Sequence, residues 1–251
     1  MRNPDHLTIL GALHTNGLCT AKELQAATGK SQATVSRLLA ELSGEVLPLG
    51  QGRARSYGLG LPIRGLPAQQ PLYLVDENGR YHQHGQLSLL SGGSLHTTLG
   101  GHSWVTRNTL PWALAPLRAQ GFLGRLLAQR LLAADMPSDP ERWALGSVLY
   151  AALHTPDAPG ALILGEPSAP PQAARLPDAR TQPDALAAEL DRRSADVAST
   201  LPAGSSAGGE QPKFLAQLAD GSHVLVKFTP PRGTPFGERW HELLQAEALA
   251  L

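Results

Sequence analysis

The 251-residue sequence predicts an α+β chain: a helical opening segment, a mixed strand-and-helix middle, and a closing hairpin followed by a helix. Three observations carry that expectation. Val35, Leu38, Leu39 and Leu42 recur at the i, i+3, i+4, i+7 spacing of one helix face. Asn78-Gly79 and Asp220-Gly221 each sit between runs of alternating apolar residues. Both pairs supply the left-handed backbone that a two-residue hairpin turn requires. Between these hairpins, residues 111–119, 125–133 and 142–153 return to helical patterning.

In residues 1–64 the first helix is expected over about 5–15, with Leu7, Leu10 and Leu13 on one side. The second begins after Thr20. Thr20-Ala21-Lys22-Glu23 has the form of a capping box, in which hydroxyl and carboxylate each satisfy a free backbone amide. Gly29 ends that helix, because glycine enters the left-handed region at little cost. Ser31 caps the third helix, about 32–42. Its apolar stripe leaves Gln32, Ala33, Ser36 and Arg37 on the opposite face, with Thr34 at the edge within reach of phosphate. Glutamine and arginine on such a face can form paired hydrogen bonds to base edges in a major groove. Val46-Leu47-Pro48-Leu49 and Ser56-Tyr57-Gly58-Leu59 then flank a glycine-rich turn carrying Arg53 and Arg55. Two short strands with a basic tip make a wing suited to phosphate or minor-groove contact. The segment resembles the winged helix-turn-helix domains of bacterial transcription regulators, which implies DNA as a partner. Winged helices also serve as protein-binding modules, and that reading stands beside the first.

Residues 65–165 are expected to form a mixed subdomain. A hairpin runs from 72–75 through 76–80 into 81–82, more strand follows near 86–90, and 161–164 is a short buried strand. Glycine pairs at 92–93 and 100–101 break the chain into loops. Trp104, Trp112 and Trp143 are expected as core anchors. His82, His84, His96 and His102 lack carboxylates at ligand spacing, and no metal is assigned to them. Residues 166–200 read as a proline-rich linker followed by an alanine-rich helix capped by Asp184.

Residues 201–251 carry the chemistry. Gly204, Gly208 and Gly209 let the backbone approach a ligand, and a loop of free amides can cradle phosphate. A hairpin then delivers Lys227 on a strand with Val224, Val226 and Phe228 on one face. A lysine on an apolar central strand is costly unless an anion meets it. A helix starting near Glu238 turns Trp240, Leu243, Leu244 and Leu251 inward and offers Glu242 and Glu247 to that lysine. Glycine-rich loop, strand lysine and helix glutamate follow the order of a nucleotide-clamping kinase N-lobe.

The stretch Ser205-Ser206-Ala207-Gly208-Gly209-Glu210-Gln211-Pro212-Lys213-Phe214 resembles the HipA-like serine/threonine kinases of bacteria, which are toxin–antitoxin or persistence-type enzymes. So do Val226-Lys227-Phe228 and Glu247-Ala248-Leu249-Ala250-Leu251. Upstream, Leu110-Pro111-Trp112 and Gln120-Gly121-Phe122-Leu123-Gly124-Arg125 are similar to the N-terminal subdomain of that family. The resemblance implies a HipA-type N-terminal subdomain followed by the start of a protein-kinase-like N-lobe. It implies ATP and Mg2+ as cofactors of the complete enzyme, with Lys227 on the phosphates and Glu247 fixing Lys227. The loop at Gly208, Gly209, Glu210 and Gln211 would hold phosphate, and Ser206, with Ser205 as alternative, would be autophosphorylated. Phosphate on Ser206 would add charge and eject the loop.

The catalytic aspartate, its asparagine neighbour and the metal-binding aspartate of such a chain come later than residue 251. The expectation is a fragment that holds part of an ATP site, binds the nucleotide weakly and lacks catalytic residues. A homodimer, a separately encoded C-lobe and an antitoxin are the expected partners. The alternative is a DNA-binding transcription regulator that uses residues 65–251 for dimerisation or effector binding, without kinase activity.

Composition narrows the classes. Lys and Arg number 21, as do Asp and Glu, so no global charge draws the chain to nucleic acid or membrane. Residues 1–64 hold seven basic and four acidic side chains, a mild local excess. The single cysteine, Cys19, excludes a disulfide framework. With no apolar run near the roughly 20 residues that span a bilayer, and no signal-peptide core, a cytoplasmic protein is expected.

Overall fold

A computed structural model describes residues 3–52, 55–131, 136–155, 160–168, 174–199, 213–229, 232–233 and 235–250. The structure is mixed α+β, with helices and antiparallel sheets, in agreement with the sequence. It divides into one unit of Met1–Arg118 with Arg142–Ala169, and another of Ala119–Glu141 with Pro170–Leu251.

In the first unit, Asn3 caps α1 (Pro4–Asn16) by accepting the Asp5 amide at 3.0 Å. β1 (Leu18–Thr20) leads into α2 (Ala21–Thr28). The expected capping box is present: Thr20 Oγ1 accepts the Glu23 amide at 3.3 Å, and Glu23 Oε2 accepts the Thr20 amide at 2.6 Å. These bonds hold the Glu23 carboxyl below its ordinary pKa. Gly29, at φ 67°, closes α2 as the sequence predicts. Ser31 opens α3 (Gln32–Glu41) by accepting the Thr34 amide at 3.3 Å. β2 (Val46–Leu49) and β3 (Ser56–Leu59) pair antiparallel, and β3 also pairs with β1, in the order β1-β3-β2. Ile9, Leu13, Leu24, Val35 and Leu38 are fully buried between the helices and this sheet.

A five-stranded antiparallel sheet follows. It contains β4 (Gln69–Val75), β5 (Tyr81–Leu90), β6 (Ser94–Leu99) and β7 (His102–Arg107). After α4 (Gly121–Leu131), which belongs to the second unit, come α5 (Leu145–Leu153) and β8 (Leu162–Leu164), which pairs with β4. The strand order is β7-β6-β5-β4-β8. The β4–β5 turn is one residue longer than the two-residue turn expected: the Asp76 amide donates to the Arg80 carbonyl at 3.0 Å, and of Asn78-Gly79 only Gly79, at φ 74°, is left-handed.

The helical segment and this sheet are joined through the backbone. The Leu61 amide donates to the Leu89 carbonyl at 2.9 Å, and Gly60 bridges to Leu90. The buried Ser91 hydroxyl donates to the Leu13 carbonyl, near the end of α1, at 2.8 Å. Gly17 and Gly92, both at positive φ, meet so closely that a Cβ on Gly92 would lie 3.1 Å from the Gly17 Cα. Arg64 donates to Ser147 Oγ at 3.4 Å and lies over the Tyr150 ring.

In the second unit, β9 (Ala174–Arg175), β10 (Lys213–Gln217) and β11 (His223–Lys227) form a sheet in the order β11-β10-β9. α4, α6 (Pro183–Ser199) and α7 (Pro235–Ala250) are its longer helices. Phe214 and Ala216 point inward with Leu176, against Leu190 and Phe228.

Several expectations change. The stretch read as a linker contributes β9, which pairs parallel with β10, because burying Leu176 draws it onto the sheet. β11 is an edge strand of the described sheet, not a central one. α7 begins at Pro235, earlier than expected, since proline fits a helix's first turn. Trp240 is buried as predicted, but Leu243 is about half exposed. Trp143 is a core residue. Trp112 is 87% exposed, because its short 3-10 helix turns Leu114 and Leu117 inward instead.

Ser91→Ala removes one of two donors to the Leu13 carbonyl, which keeps the Gly17 amide at 2.9 Å, and is expected to destabilise the first unit by about 0.5–1.5 kcal/mol in chemical denaturation. On α6, Arg192 donates to both Glu189 oxygens at 2.9 and 2.8 Å, and holds that carboxyl at about 2 against an ordinary 4.5. A depressed carboxylate favours the fold above its ordinary value and loses that contribution as pH falls through about 2. Carbon NMR of the Glu189 carboxyl is expected to show that midpoint, and Arg192→Gln to return it toward 4.5.

Candidate functional site

Two groups of residues from the sequence reading fall on described structure, one in each unit. In the first, α3 turns Val35, Leu38 and Leu39 into the core. Gln32, Ala33, Ser36 and Arg37 are exposed together on the other side, and Thr34 is half-buried at its edge. The Thr34 hydroxyl lies 3.1 Å from Ser31 Oγ, so it is part of the helix cap as well as the face. Arg55 is exposed beside the β2–β3 turn. Arg53 lies outside the described residues.

The Arg37 guanidinium is not free. Its Nη1 donates to Glu41 Oε1 at 3.2 Å, one helical turn on. The other carboxylate oxygen of Glu41 lies 2.8 Å from His6 Nε2 of α1. Lys30, in the α2–α3 turn, pairs with Asp5 of α1 at 3.2 Å. One ion pair and one hydrogen bond therefore lace α1 to the turn and to the end of α3. Glu41 and His6 escaped the sequence reading. The i, i+4 spacing of Arg37 and Glu41 could have flagged the first, but the His6 contact spans 35 residues and leaves no local signal.

In the second unit, Lys227 Nζ and the Glu247 carboxylate form an ion pair between β11 and α7. Of the two glutamates the sequence offered, Glu247 takes the lysine. Directly across the hairpin from Lys227 stands Lys213, and next to them Leu215 opposes Leu225. Both leucines are nearly half exposed, so this face of the hairpin is open among the described residues. Ser205, Ser206, Gly208, Gly209, Glu210 and Gln211 lie outside the described residues.

Two of the scattered histidines have ordinary partners. His82 Nε2 is 2.9 Å from an Asp76 oxygen, and His96 Nε2 is 2.8 Å from Ser103 Oγ. Partial burial pushes the His96 pKa down, which favours the neutral ring. Among the described residues, no three His, Cys, Asp or Glu side chains are grouped to hold a metal ion. No described helix is long and apolar enough to cross a membrane.

Comparison with known proteins gives these geometries a context. Residues 66–171 match the family model of the YjjJ-like toxin middle domain. Over 239 residues, 92% of its length, the chain is 36% identical to Toxin YjjJ of Escherichia coli (strain K12). The match covers 53% of that protein, so the chain spans about half the length of the curated relative. No solved structure matches the chain significantly.

Proposed function

We propose, from the similarity of this chain to the YjjJ-like toxins, a HipA-like serine/threonine kinase of the toxin or persistence type, fused to a DNA-binding winged helix-turn-helix. The observation that carries the kinase reading is the Lys227–Glu247 pair. A strand lysine held by a helix carboxylate is the arrangement that places an ammonium on nucleotide phosphates. Lys227 would contact the phosphates of ATP, Glu247 would keep its ammonium in place, and the residues around Gly208–Gln211 would supply amides to the same phosphates. Mg2+ would accompany the nucleotide and neutralise charge developing on it. Ser206 or Ser205 would be the autophosphorylated residue.

The DNA reading rests on α3, whose exposed face gathers Gln32, Ala33, Ser36 and Arg37 beside a capped N-terminus. Recognition helices contact base edges with their N-terminal half, where these residues stand. Arg55 near the wing tip would add a phosphate contact. A homodimer would double both sets of contacts. The backbone junction of residues 60–61 and α1 with the middle sheet, within one unit, favours a second reading. There the protein is a transcription regulator whose remaining parts act as a dimerisation or effector module.

Two measurements test these roles. Lys227→Met is expected to change the stability of the second unit by less than about 1 kcal/mol, as for other exposed pairs. It is expected to weaken ATP binding, followed by calorimetry, about tenfold or more; unchanged ATP affinity would remove the phosphate role. Arg37→Ala with Arg55→Ala is expected to weaken DNA binding in a gel shift. The same double variant is expected to flatten the salt dependence of binding by about one unit for each phosphate no longer neutralised.

A further inference from the structure

We infer that Glu41 is a positioning residue for DNA readout, holding Arg37 ready for a base edge while itself fixed to α1 by His6. The inference rests on the DNA-binding reading and goes beyond it, because Glu41 carries the wrong charge to touch DNA favourably and would not be counted in the interface.

The geometry supports positioning over ordinary surface pairing. An isolated exposed pair one turn apart on a helix contributes little and leaves both side chains mobile. Glu41 differs because both of its oxygens are engaged. Oε1 meets Arg37 Nη1 at 3.2 Å and Oε2 meets His6 Nε2 at 2.8 Å. The His6 side chain is only 17% exposed, so the post that holds the carboxylate is set into the protein surface. Arg37, at 68%, reaches out from it.

The contact uses one nitrogen of the guanidinium. The edge formed by Nε and Nη2 stays available, and a parallel pair of N–H donors is what a guanine presents acceptors for. An arginine already held in one orientation loses less freedom on docking than a mobile one. The same carboxylate repels phosphate, so it lowers affinity for DNA of any sequence while sharpening the choice among sequences. These opposed effects separate positioning from the two simpler roles Glu41 could have.

The test uses the full chain and two probes, a duplex selected by the wild-type chain from a random pool and poly(dI-dC), each read by fluorescence anisotropy. Glu41→Gln is expected to tighten binding to poly(dI-dC). It is expected to lower the ratio of selected to unselected affinity about fivefold or more, the lower end of what one arginine–guanine pair discriminates. His6→Ala should lower the ratio in the same direction, and in an Arg37→Ala background Glu41→Gln should leave it unchanged. Parallel tightening on both probes would make Glu41 a purely electrostatic brake and overturn the inference, and parallel weakening would make it merely structural, with the same result. If Arg37→Ala itself leaves the ratio at the wild-type value, the recognition-face reading falls. If Arg37→Ala lowers the ratio and Glu41→Gln does not, only the positioning role of Glu41 falls.

Discussion

The rotation of α3 about its own axis is set by the burial of Val35, Leu38 and Leu39, and the functional reading of the first unit depends on it. Each buried aliphatic side chain is worth roughly 1.5–3 kcal/mol relative to exposure. Together they outweigh any surface pairing available to the helix, so the polar side has no choice of direction. Ser31 and Gly29 act with that burial. The first satisfies the free amides that open α3, and the second turns the chain sharply out of α2. The face carrying Gln32, Ser36 and Arg37 is thus a product of core packing and capping.

In the second unit the balance is different. The hairpin of β10 and β11 buries one side through Phe214, Ala216, Val226 and Phe228. Its other side places Lys213 opposite Lys227 and Leu215 opposite Leu225. Two ammonium groups on adjacent strands repel. Glu247 offsets that repulsion by pairing with Lys227 from α7, which is itself anchored by Trp240. The surface contribution of such a pair is small. Its value lies in fixing where the lysine ammonium sits.

Much of this was legible in the sequence wherever a local rule applied. Thr20, Glu23, Gly29 and Ser31 announce the helix ends, and Asn78-Gly79 and Asp220-Gly221 announce hairpins, because each feature is decided within a few residues. The Lys227–Glu247 pairing was readable as one of two choices, since Glu242 offered the same chemistry from the same helix. Features that depend on distant chain were not readable. Whether Trp112 enters the core depends on which face of a short 3-10 helix meets the sheet, and Leu114 and Leu117 win that contact. The parallel pairing of β9 with β10 joins residues some forty apart, with only two residues of strand to signal it. The His6–Glu41 contact likewise has no local trace.

The joint at Ser91, Gly17 and Gly92 bears on how the protein could be taken apart. Helix α1 borrows a hydrogen-bond donor from the β5–β6 turn, and β3 leaves Gly58 so near Leu90 that an added methyl group would lie 2.9 Å from it. The first sixty residues are therefore not a portable cassette. Transplanted alone onto another protein, they would lose the Ser91 hydrogen bond to α1 and carry a bare apolar seam. A workable graft has to bring the β5–β6 turn along, so the natural seam for protein engineering lies inside the five-stranded sheet, well past the end of β3.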